Sequence, residues 1–332
     1  MKFDSAASER IPSSPPKIEP ILGDEPRPKW SVMIPVYNCA AFFPSAIESV
    51  LAQDLGPEDM QIEVIDDAST DVDVESLVIK IGKGRVGYFR QPENVGSLRN
   101  FETCINRSRG KLLHLLHGDD RVKVGFYTKI GSLLDSHPEA GAAFCKFCFI
   151  DKDGKTDHHS NFRDIEDGIL KNGLLEIAIE RPIQYVSIVV KRKVYEDLGS
   201  FYGVVYGEDW EMWVRIAQKL PIAYTPEILA EYRIHEGSIS WLKEGNGQNT
   251  RDLATTIARI ECNLPSSIQS KFSKTKKEAA FYCIAQANMN WKQFRNTKVA
   301  GEQIRIALSL NKSLILYYHI MKFYIKVFFK IY

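Results

Sequence analysis

The chain has 332 residues, of which 44% are apolar, and its 43 lysines and arginines balance 42 aspartates and glutamates. The length and the apolar fraction indicate a globular protein with one large domain and an appendage. A net charge of +1 excludes a protein that wraps nucleic acid around its whole surface, so no nucleic-acid partner is expected. The N-terminus lacks the pattern of a signal peptide, which predicts a cytoplasmic chain whose six cysteines are free thiols.

The first segment of the chain is rich in proline. Six prolines lie among serine, glutamate and lysine before residue 29, which leaves few backbone donors and little apolar area. This composition predicts that residues 1–29 form a disordered leader.

Strands and helices then alternate along the chain. Apolar runs predict strands at 30–37, 62–65, 86–90 and 112–117, and helical apolar spacing predicts helices at 40–51, 74–81 and 98–108. This alternation predicts an α/β fold in which a doubly wound, mainly parallel sheet is flanked by helices. We expect this domain to span residues 30–245.

Two short motifs are interpreted as structural. Residues 82–87 match G-x-G-x-x-G, but they follow a helix and lead into a strand, whereas the dinucleotide fingerprint follows a strand and opens a helix. Cys145 and Cys148 form a C-x-x-C inside a strand-like run, where positions three apart face opposite sides of the sheet. We therefore expect a helix-to-strand loop and two core cysteines.

From residue 246 onward the pattern is helical, with predicted helices at 252–262, 276–291 and 298–310. This predicts an all-α appendage at 246–332. Its last segment, 313–332, combines aromatic and aliphatic residues with Lys322, Lys326 and Lys330 on one helical face. A spanning helix would have to bury those lysines at roughly 2.5–3.5 kcal/mol each at its centre. Two alternatives remain open, a helix lying in a membrane interface and a helix packed on the appendage.

Acidic pairs fall where strands or loops are expected to end: Asp66-Asp67, Asp119-Asp120 and Glu208-Asp209. Since ligands of open α/β sheets collect at the carboxyl ends of strands, one sheet edge can gather these groups. Asp67 can accept a hydrogen bond from a nucleotide base, and Asp119 with Asp120 can hold a magnesium-type ion beside substrate phosphates. For Asp119-Asp120 alone, a solvated turn is the alternative.

The block that contains Glu208-Asp209 also carries aromatic residues. Glu208-Asp209 can supply a general base beside aromatic faces. Trp210 and Trp213 lie three residues apart on an incipient helix, so at least one of them is expected in the core.

An ordered set of motifs resembles the family 2 glycosyltransferases of the GT-A fold. The set consists of WSVMIPVYN (30–38), IESVLAQ (47–53), VIDDASTD (64–71), NVGSLRN (94–100), HGDD (117–120), GEDWEMWVR (207–215) and YRIH (232–235). The resemblance covers about residues 30–240, and its specificity lies in the order of the pieces.

The resemblance implies inverting transfer of a sugar from a nucleotide diphosphate sugar, and it implies roles for individual residues. Pro35, Tyr37, Asp67 and Arg99 match positions of the nucleotide pocket, with Asp120 close to them. Asp119 matches the last residue of the family's Asp-x-Asp motif and would ligate Mn²⁺ or Mg²⁺, supported by Asp120 and, near the diphosphate, His235. Asp209 matches the catalytic base, with Glu208 beside it and Trp210 as a sugar or acceptor contact. His117 stands where the family has its first aspartate, so it would contact the ribose or sugar or ligate the ion.

Other functions remain alternatives at this stage. A nucleotidyltransferase acting on sugar phosphates also uses strand-end carboxylates and a metal, and the His117 substitution is compatible with a catalytically silent nucleotide-sugar-binding module. The expected partners are a nucleotide diphosphate sugar, with UDP favoured, and a glycan or lipid-linked acceptor in surface polysaccharide or glycolipid assembly. Residues 313–332 are expected to attach the protein peripherally to the cytoplasmic face of the membrane.

Overall fold

The computed structural model describes residues 10–23, 26–163 and 166–330. These residues form two compact units. Within the described chain, the first unit comprises residues up to 177 together with 182–205 and 212–234, and the second comprises 178–181, 206–211 and the residues from 235 onward. The continuous part of the second unit starts at residue 235, eleven residues before the appendage that the sequence predicts from 246, and the unit also includes two short segments from the middle of the chain.

The first unit contains a ten-stranded sheet. Its strands are β1 (Trp30–Val36), β2 (Met60–Asp66), β3 (Gly87–Arg90), β4 (Leu112–Leu115), β5 (Arg121–Val122), β6 (Ala142–Ile150), β7 (Thr156–His159), β8 (Gly168–Ile169), β9 (Ile188–Lys191) and β10 (Ile222–Arg233). Helices up to residue 217 are α1 (Phe43–Leu51), α2 (Val74–Gly82), α3 (Ser97–Arg107), α4 (Phe126–Ser136), α5 (Gly173–Glu180), α6 (Arg192–Leu198) and α7 (Glu208–Ala217), with a 3₁₀ turn at Tyr185–Ser187.

The strand order is β3-β2-β1-β4-β9-β6-β10-β5, with β7 paired to β6 and β8 paired to β10. The first four strands of this order are parallel, as are β6 and β10, whereas β9 runs antiparallel between β4 and β6. The predicted α/β class is therefore confirmed. The sheet is mixed, because strands β1 to β4 are parallel to one another and antiparallel strands occur in the rest of the sheet.

Local sequence explains the central elements. All seven residues of β1 are buried, as expected for a strand covered on both faces of a parallel sheet. In α1, the buried residues Phe43, Ala46, Ile47 and Val50 follow the spacing of one helical face, and a proline occupies the first turn, where its missing N–H is harmless.

The glycine-rich segment and the two strand cysteines are structural, as predicted. Residues 82–87 connect α2 to β3, with Lys83 and Gly84 at positive φ in the turn. Cys145 and Cys148 are both buried free thiols in β6. Both are in the core because both faces of the sheet are covered at this strand.

The N-terminal proline-rich segment is ordered from residue 10 where it is described, so the prediction of disorder is wrong there. The carbonyl of Pro12 accepts from the N–H of Gly203 at 2.8 Å, and that of Pro16 accepts from the N–H of Ser200 at 2.9 Å. Ile18 is only 1% exposed. Prolines lack backbone donors but keep their carbonyl acceptors, and these acceptors hold the segment against residues near 200. Residues 1–9 and 24–25 lie outside the described residues.

The second unit is helical, which confirms the predicted all-α region. Its helices are α8 (Ile239–Gly245), α9 (Gln248–Asn263), α10 (Ser266–Phe294), α11 (Thr297–Leu310) and α12 (Leu314–Phe329). A core of small and aliphatic residues from α10 and α11 packs with Leu316, Ile320 and Phe323 of α12. Within the described residues, no helix combines the length and the apolarity needed to cross a bilayer.

Candidate functional site

The carboxyl ends of β1, β2 and β4 form one edge of the sheet, since β1 pairs in parallel with both neighbours. Tyr37 follows β1, Asp67 follows β2, and the 117–120 turn follows β4 by one residue. The topology thus gathers the predicted strand-end residues of the first unit at a single edge, where open α/β sheets bind their ligands.

The 117–120 turn is held tightly against the end of β1. The N–H of Gly118 donates to the carbonyl of Pro35 at 3.2 Å, and the N–H of Asp120 donates to the carbonyl of His117 at 3.1 Å. A Cβ atom on Gly118 would lie only 2.8 Å from Cγ1 of Val36. Only glycine fits there without displacing the side chain of Val36, which explains the residue type before the two aspartates.

Three side chains of this turn form a candidate metal site. One ligand atom from each of His117, Asp119 and Asp120 lies within 4.8 Å of the others. Two carboxylates and an imidazole are a donor set that manganese-type divalent ions accept. Among the described residues, the histidine of this cluster is His117. The resemblance implied that His235 also helps to hold the metal, but His235 belongs to the second unit.

The surroundings of His117 favour a neutral ring that can act as a metal ligand or hydrogen-bond partner. Its ring stacks on Phe101, with centroids 5.0 Å apart, and lies 4.3 Å from the ring centroid of Tyr185. Burial lowers the pKa of His117, against the opposing effect of Asp119. Its buried Nε2 has no hydrogen-bond partner among the described residues. A buried polar atom of this kind usually has a partner, so this atom fits a ligand contact.

Asp120 is buried and anchored by the protein. Its Oδ1 accepts from the backbone N–H of Arg233, at the end of β10, at 2.8 Å. Burial, reinforced by the charge of Asp119, raises the pKa of Asp120 well above its usual value. The Arg233 side chain donates from Nε to the carbonyl of Asp119 at 2.7 Å. Arg233 thus fixes both aspartates, a contribution that the sequence analysis missed although Arg233 lies inside the quoted YRIH motif.

Asp67 holds a neighbouring loop. Its carboxylate accepts from the backbone N–H groups of Val95 at 2.7 Å and Gly96 at 3.0 Å, and from the side-chain amide of Asn94 at 2.8 Å. Burial raises the pKa of Asp67, and the bonds from Val95 and Gly96 oppose that rise. The predicted contact with a nucleotide base therefore has to use the remaining lone pairs of this carboxylate.

Asp66, the neighbour of Asp67, has a structural role. It is fully buried, accepts from the hydroxyl of Tyr88 at 2.9 Å and from the N–H of Ser69 at 2.8 Å, and forms an ion pair with Arg90. Burial and the bond to Asp66 raise the pKa of Tyr88 to about 12. Because successive side chains along a strand point to opposite sides, the adjacent residues Asp66 and Asp67 have different partners and different roles.

The other predicted nucleotide-pocket residues of the first unit lie near the same strand ends. Pro35 is buried in β1, and Tyr37 just beyond it is 49% exposed. Arg99 lies in the first turn of α3 and pairs with Glu102 at 2.7 Å.

Glu208, Asp209 and Trp210 form the first turn of α7 and belong to the second unit. Oδ1 of Asp209 accepts from the N–H of Trp210 at 2.7 Å. Burial raises the pKa of Asp209 to about 6, while that backbone bond and the charge of Arg181 oppose the rise. Such a carboxyl group is poised to take a proton near neutral pH.

The remaining predicted contacts of the second unit are Trp210 and His235. Trp210 is 5% exposed, packs near Phe272 with centroids 6.0 Å apart, and lies under the guanidinium of Arg181. This confirms the expectation of a core tryptophan and leaves little indole surface for a sugar. Nδ1 of His235 lies 3.0 Å from the carbonyl of Glu236.

Comparison with known proteins gives this site a context. Residues 31–199, half of the chain, match the model of "Glycosyl transferase family 2". The GalNAc(5)-diNAcBac-PP-undecaprenol beta-1,3-glucosyltransferase of Campylobacter jejuni is 27% identical over 272 residues, which cover 79% of this chain and 84% of that protein. An uncharacterized glycosyltransferase of Rickettsia felis is 28% identical over 218 residues, 63% of this chain. The chain spans only 34% of the length of that relative.

Two solved structures share the fold. S. aureus TarS 1-349 in complex with UDP superposes with a TM-score of 0.62 at 16% identity, over 90% of this chain and 89% of TarS 1-349. The mannosyltransferase PcManGT from Pyrobaculum calidifontis in complex with GDP-Man and Mn²⁺ gives a TM-score of 0.57 at 16% identity, over 96% of this chain and 84% of that protein. At this identity the likeness shows the fold, which is of the GT-A type.

Proposed function

This chain belongs to glycosyl transferase family 2, and from that premise we propose that it is an inverting enzyme that moves a sugar from a nucleotide diphosphate sugar to an acceptor hydroxyl. The observation that carries the proposal is the cluster of His117, Asp119 and Asp120 at the carboxyl ends of the parallel strands. Its position and donor atoms suit a divalent ion beside a diphosphate.

Asp119 and Asp120 would hold Mn²⁺ or Mg²⁺, with His117 as a third ligand. Two observations support this assignment: Nε2 of His117 has no hydrogen-bond partner in the part of the chain that the structure describes, and the three side chains lie close together. A bound divalent ion supplies Lewis-acid stabilisation of the negative charge that develops on the leaving diphosphate.

Asp209 is proposed as the general base. Its position in the Glu-Asp-Trp block, its burial and its pKa of about 6 support this role. At neutral pH the group is still largely ionised, and it can take the proton of the acceptor hydroxyl as the new bond to the anomeric carbon forms. Glu208 lies beside it in the same helical turn and adds negative charge at the N-terminus of α7, where the helix dipole favours it.

The donor is proposed to be a UDP-linked sugar. Pro35, Tyr37, Asp67 and Arg99 lie at or near the strand ends of the first unit, and the TarS structure of the same fold contains UDP. The exposed ring of Tyr37 offers a face for the base, and the guanidinium of Arg99 offers a cation for a phosphate or a base edge.

The acceptor is proposed to be a glycan in surface polysaccharide or glycolipid assembly. The support comes from the Campylobacter relative, whose name specifies a glycan on PP-undecaprenol. It also comes from the Bacillus subtilis minor teichoic acid biosynthesis protein GgaB, which is 23% identical over 64% of this chain.

A panel of UDP-linked and GDP-linked sugars with Mn²⁺, analysed for the nucleotide product, tests the proposal. We expect a free nucleoside diphosphate from one donor class, and an inverted anomeric configuration in the transferred sugar by NMR. Release of pyrophosphate would indicate nucleotidyl transfer, and retention of configuration would contradict the inverting mechanism. An Asp119→Asn variant serves as the control for contaminating activity.

A further inference from the structure

One face of the last helix, α12, packs onto the second unit. Leu316, Ile320 and Phe323 are buried in the cluster formed with α10 and α11, and Val327 packs partly against the same cluster. These four residues follow the i, i+4, i+7, i+11 spacing of a single helical face. The helix is therefore anchored, and its orientation about its own axis is fixed.

A second apolar face of α12 remains exposed. Leu314, Tyr318, Met321, Ile325 and Phe328 have exposures of 87, 51, 54, 44 and 80%. They repeat the same spacing two residues out of step with the buried set, which places them about 200° around the helix. We call these five residues the exposed stripe.

Other apolar side chains widen the exposed stripe. Tyr317, Tyr324 and Phe329 are 47, 51 and 65% exposed. A continuous apolar patch of this size is unusual on a soluble surface and marks a contact with another molecule or with a membrane.

Basic residues border the exposed stripe on one side. Lys322, Lys326 and Lys330 recur every fourth residue and lie between the buried face and the exposed stripe. Residues 313–332 contain no aspartate or glutamate. The segment thus combines aromatic and aliphatic side chains with a local positive charge that nothing within the helix neutralises.

We propose that the exposed stripe docks α12 into the headgroup region of a bilayer that contains anionic lipid. Aromatic and aliphatic side chains enter the headgroup–acyl boundary, where tyrosine hydroxyls keep contact with water. Lysine stems reach from the flank to lipid phosphates. The helix lies in the interface plane, because its opposite face is already covered by protein.

The charge pattern favours a membrane over a second copy of this chain. Two exposed stripes packed as antiparallel helices would bring the two rows of lysines to the same side, with no carboxylate in either helix to neutralise them. An anionic lipid surface supplies the opposite charge directly. Vesicle binding by α12 is independent of the proposed sugar transfer.

Co-sedimentation with vesicles tests this proposal. We expect the full chain to sediment with phosphatidylcholine vesicles that contain phosphatidylglycerol, and to do so more weakly with pure phosphatidylcholine or at high salt. The triple substitution Met321→Ser, Ile325→Ser and Phe328→Ser should weaken binding by about tenfold or more, because it removes apolar contact area. Each single substitution Lys322→Gln or Lys326→Gln should weaken binding to anionic vesicles by about fivefold, the equivalent of one lysine near an anionic surface.

A matched control keeps the test specific. Ile79→Ser with Val124→Ser alters two apolar side chains of the first unit that are 64 and 77% exposed, and it should leave vesicle binding unchanged. The substituted stripe residues are exposed, so circular dichroism should show the helical content of the parent chain.

Two results would overturn the proposal. One is equal vesicle binding by the parent and the triple variant. The other is a parent chain that light scattering shows to be a dimer and that the triple variant converts to a monomer, since the exposed stripe would then be an interface between copies.

Discussion

The backbone N–H of Arg233 donates to Oδ1 of Asp120 across 2.8 Å and thereby joins the end of β10 to the acidic turn that follows β4. These residues are 113 positions apart in the chain. The bond gives Asp120 a structural task besides the proposed role at the metal, and the two tasks make different demands on the side chain.

Two substitutions at Asp120 separate these tasks. Asparagine keeps an oxygen that can accept from Arg233 but loses the negative charge, whereas alanine loses both. We expect Asp120→Asn to melt at or above the temperature of the parent, because it also removes a buried carboxyl group whose pKa is raised by burial. Asp120→Ala should lose about 1–3 kcal/mol of unfolding free energy, since a buried N–H is left unpaired. Both variants should lose most transfer activity. Full activity of Asp120→Asn would remove Asp120 from the metal site.

Substitution of Asp209 by asparagine should reduce kcat by about 10²- to 10⁴-fold, the usual contribution of a general base. Asparagine preserves an acceptor for the N–H of Trp210, so the helix start should survive. Calorimetric titration with the nucleoside diphosphate should give an unchanged Kd. Asp197→Asn, which removes an exposed carboxylate paired with Lys193, is the control and should retain normal turnover. Turnover by Asp209→Asn near that of the control would assign the base elsewhere.

The raised pKa of Asp209 predicts the pH dependence of turnover. The base acts in its ionised form, so with a pKa of about 6 the plateau of kcat lies above that value and kcat falls as pH drops through it. The charge of Arg181 lowers this pKa, so an Arg181→Asn variant should move the acidic limb to higher pH. Asparagine is chosen because residue 181 has a φ of 50°, which asparagine tolerates. An acidic limb at the same pH in both proteins would contradict the assignment.

The nitrogen ligand proposed at His117 predicts a metal preference. Mg²⁺ is a hard ion that prefers oxygen ligands, whereas Mn²⁺, a transition-metal ion, also accepts an imidazole nitrogen. We therefore expect His117→Asp to raise the ratio of Mg²⁺-supported to Mn²⁺-supported activity. His117→Phe, which keeps a ring beside Phe101 but removes the nitrogen, should weaken Mn²⁺ binding in the presence of UDP by about tenfold or more, measured by electron paramagnetic resonance. Unchanged Mn²⁺ affinity of His117→Phe would exclude His117 as a ligand.

Much of the sheet and of its acidic edge could be predicted from the sequence because the signals are local. The apolar run before Asp66-Asp67 forms β2, as expected. Gly118 allows the turn in which the side chains of Asp119 and Asp120 cluster. The ends of parallel strands meet at one edge of a sheet, so the predicted alternation of strands and helices was enough to bring Asp67, Asp119 and Asp120 to the same edge.

Pairings between distant residues could not be predicted in this way. The antiparallel insertion of β9 between β4 and β6 depends on contacts that periodicity does not encode. The bonds from the 94–96 loop to Asp67, 27–29 residues away, likewise follow from tertiary packing. The order of the N-terminal segment was missed for the same reason, since its partners lie near residue 200.

The N-terminal segment should prove to be part of the folded first unit. Ile18 is 1% exposed, and its truncation to alanine should cost about 2–5 kcal/mol of unfolding free energy, the usual range for a buried isoleucine. Ile79→Ala is the matched control, because Ile79 is 64% exposed and its truncation should change stability by no more than about 0.5 kcal/mol. Urea unfolding of both variants measures the difference. Equal midpoints and slopes for the two variants would mean that the segment does not stay packed in solution, and the disorder predicted from its proline content would then hold.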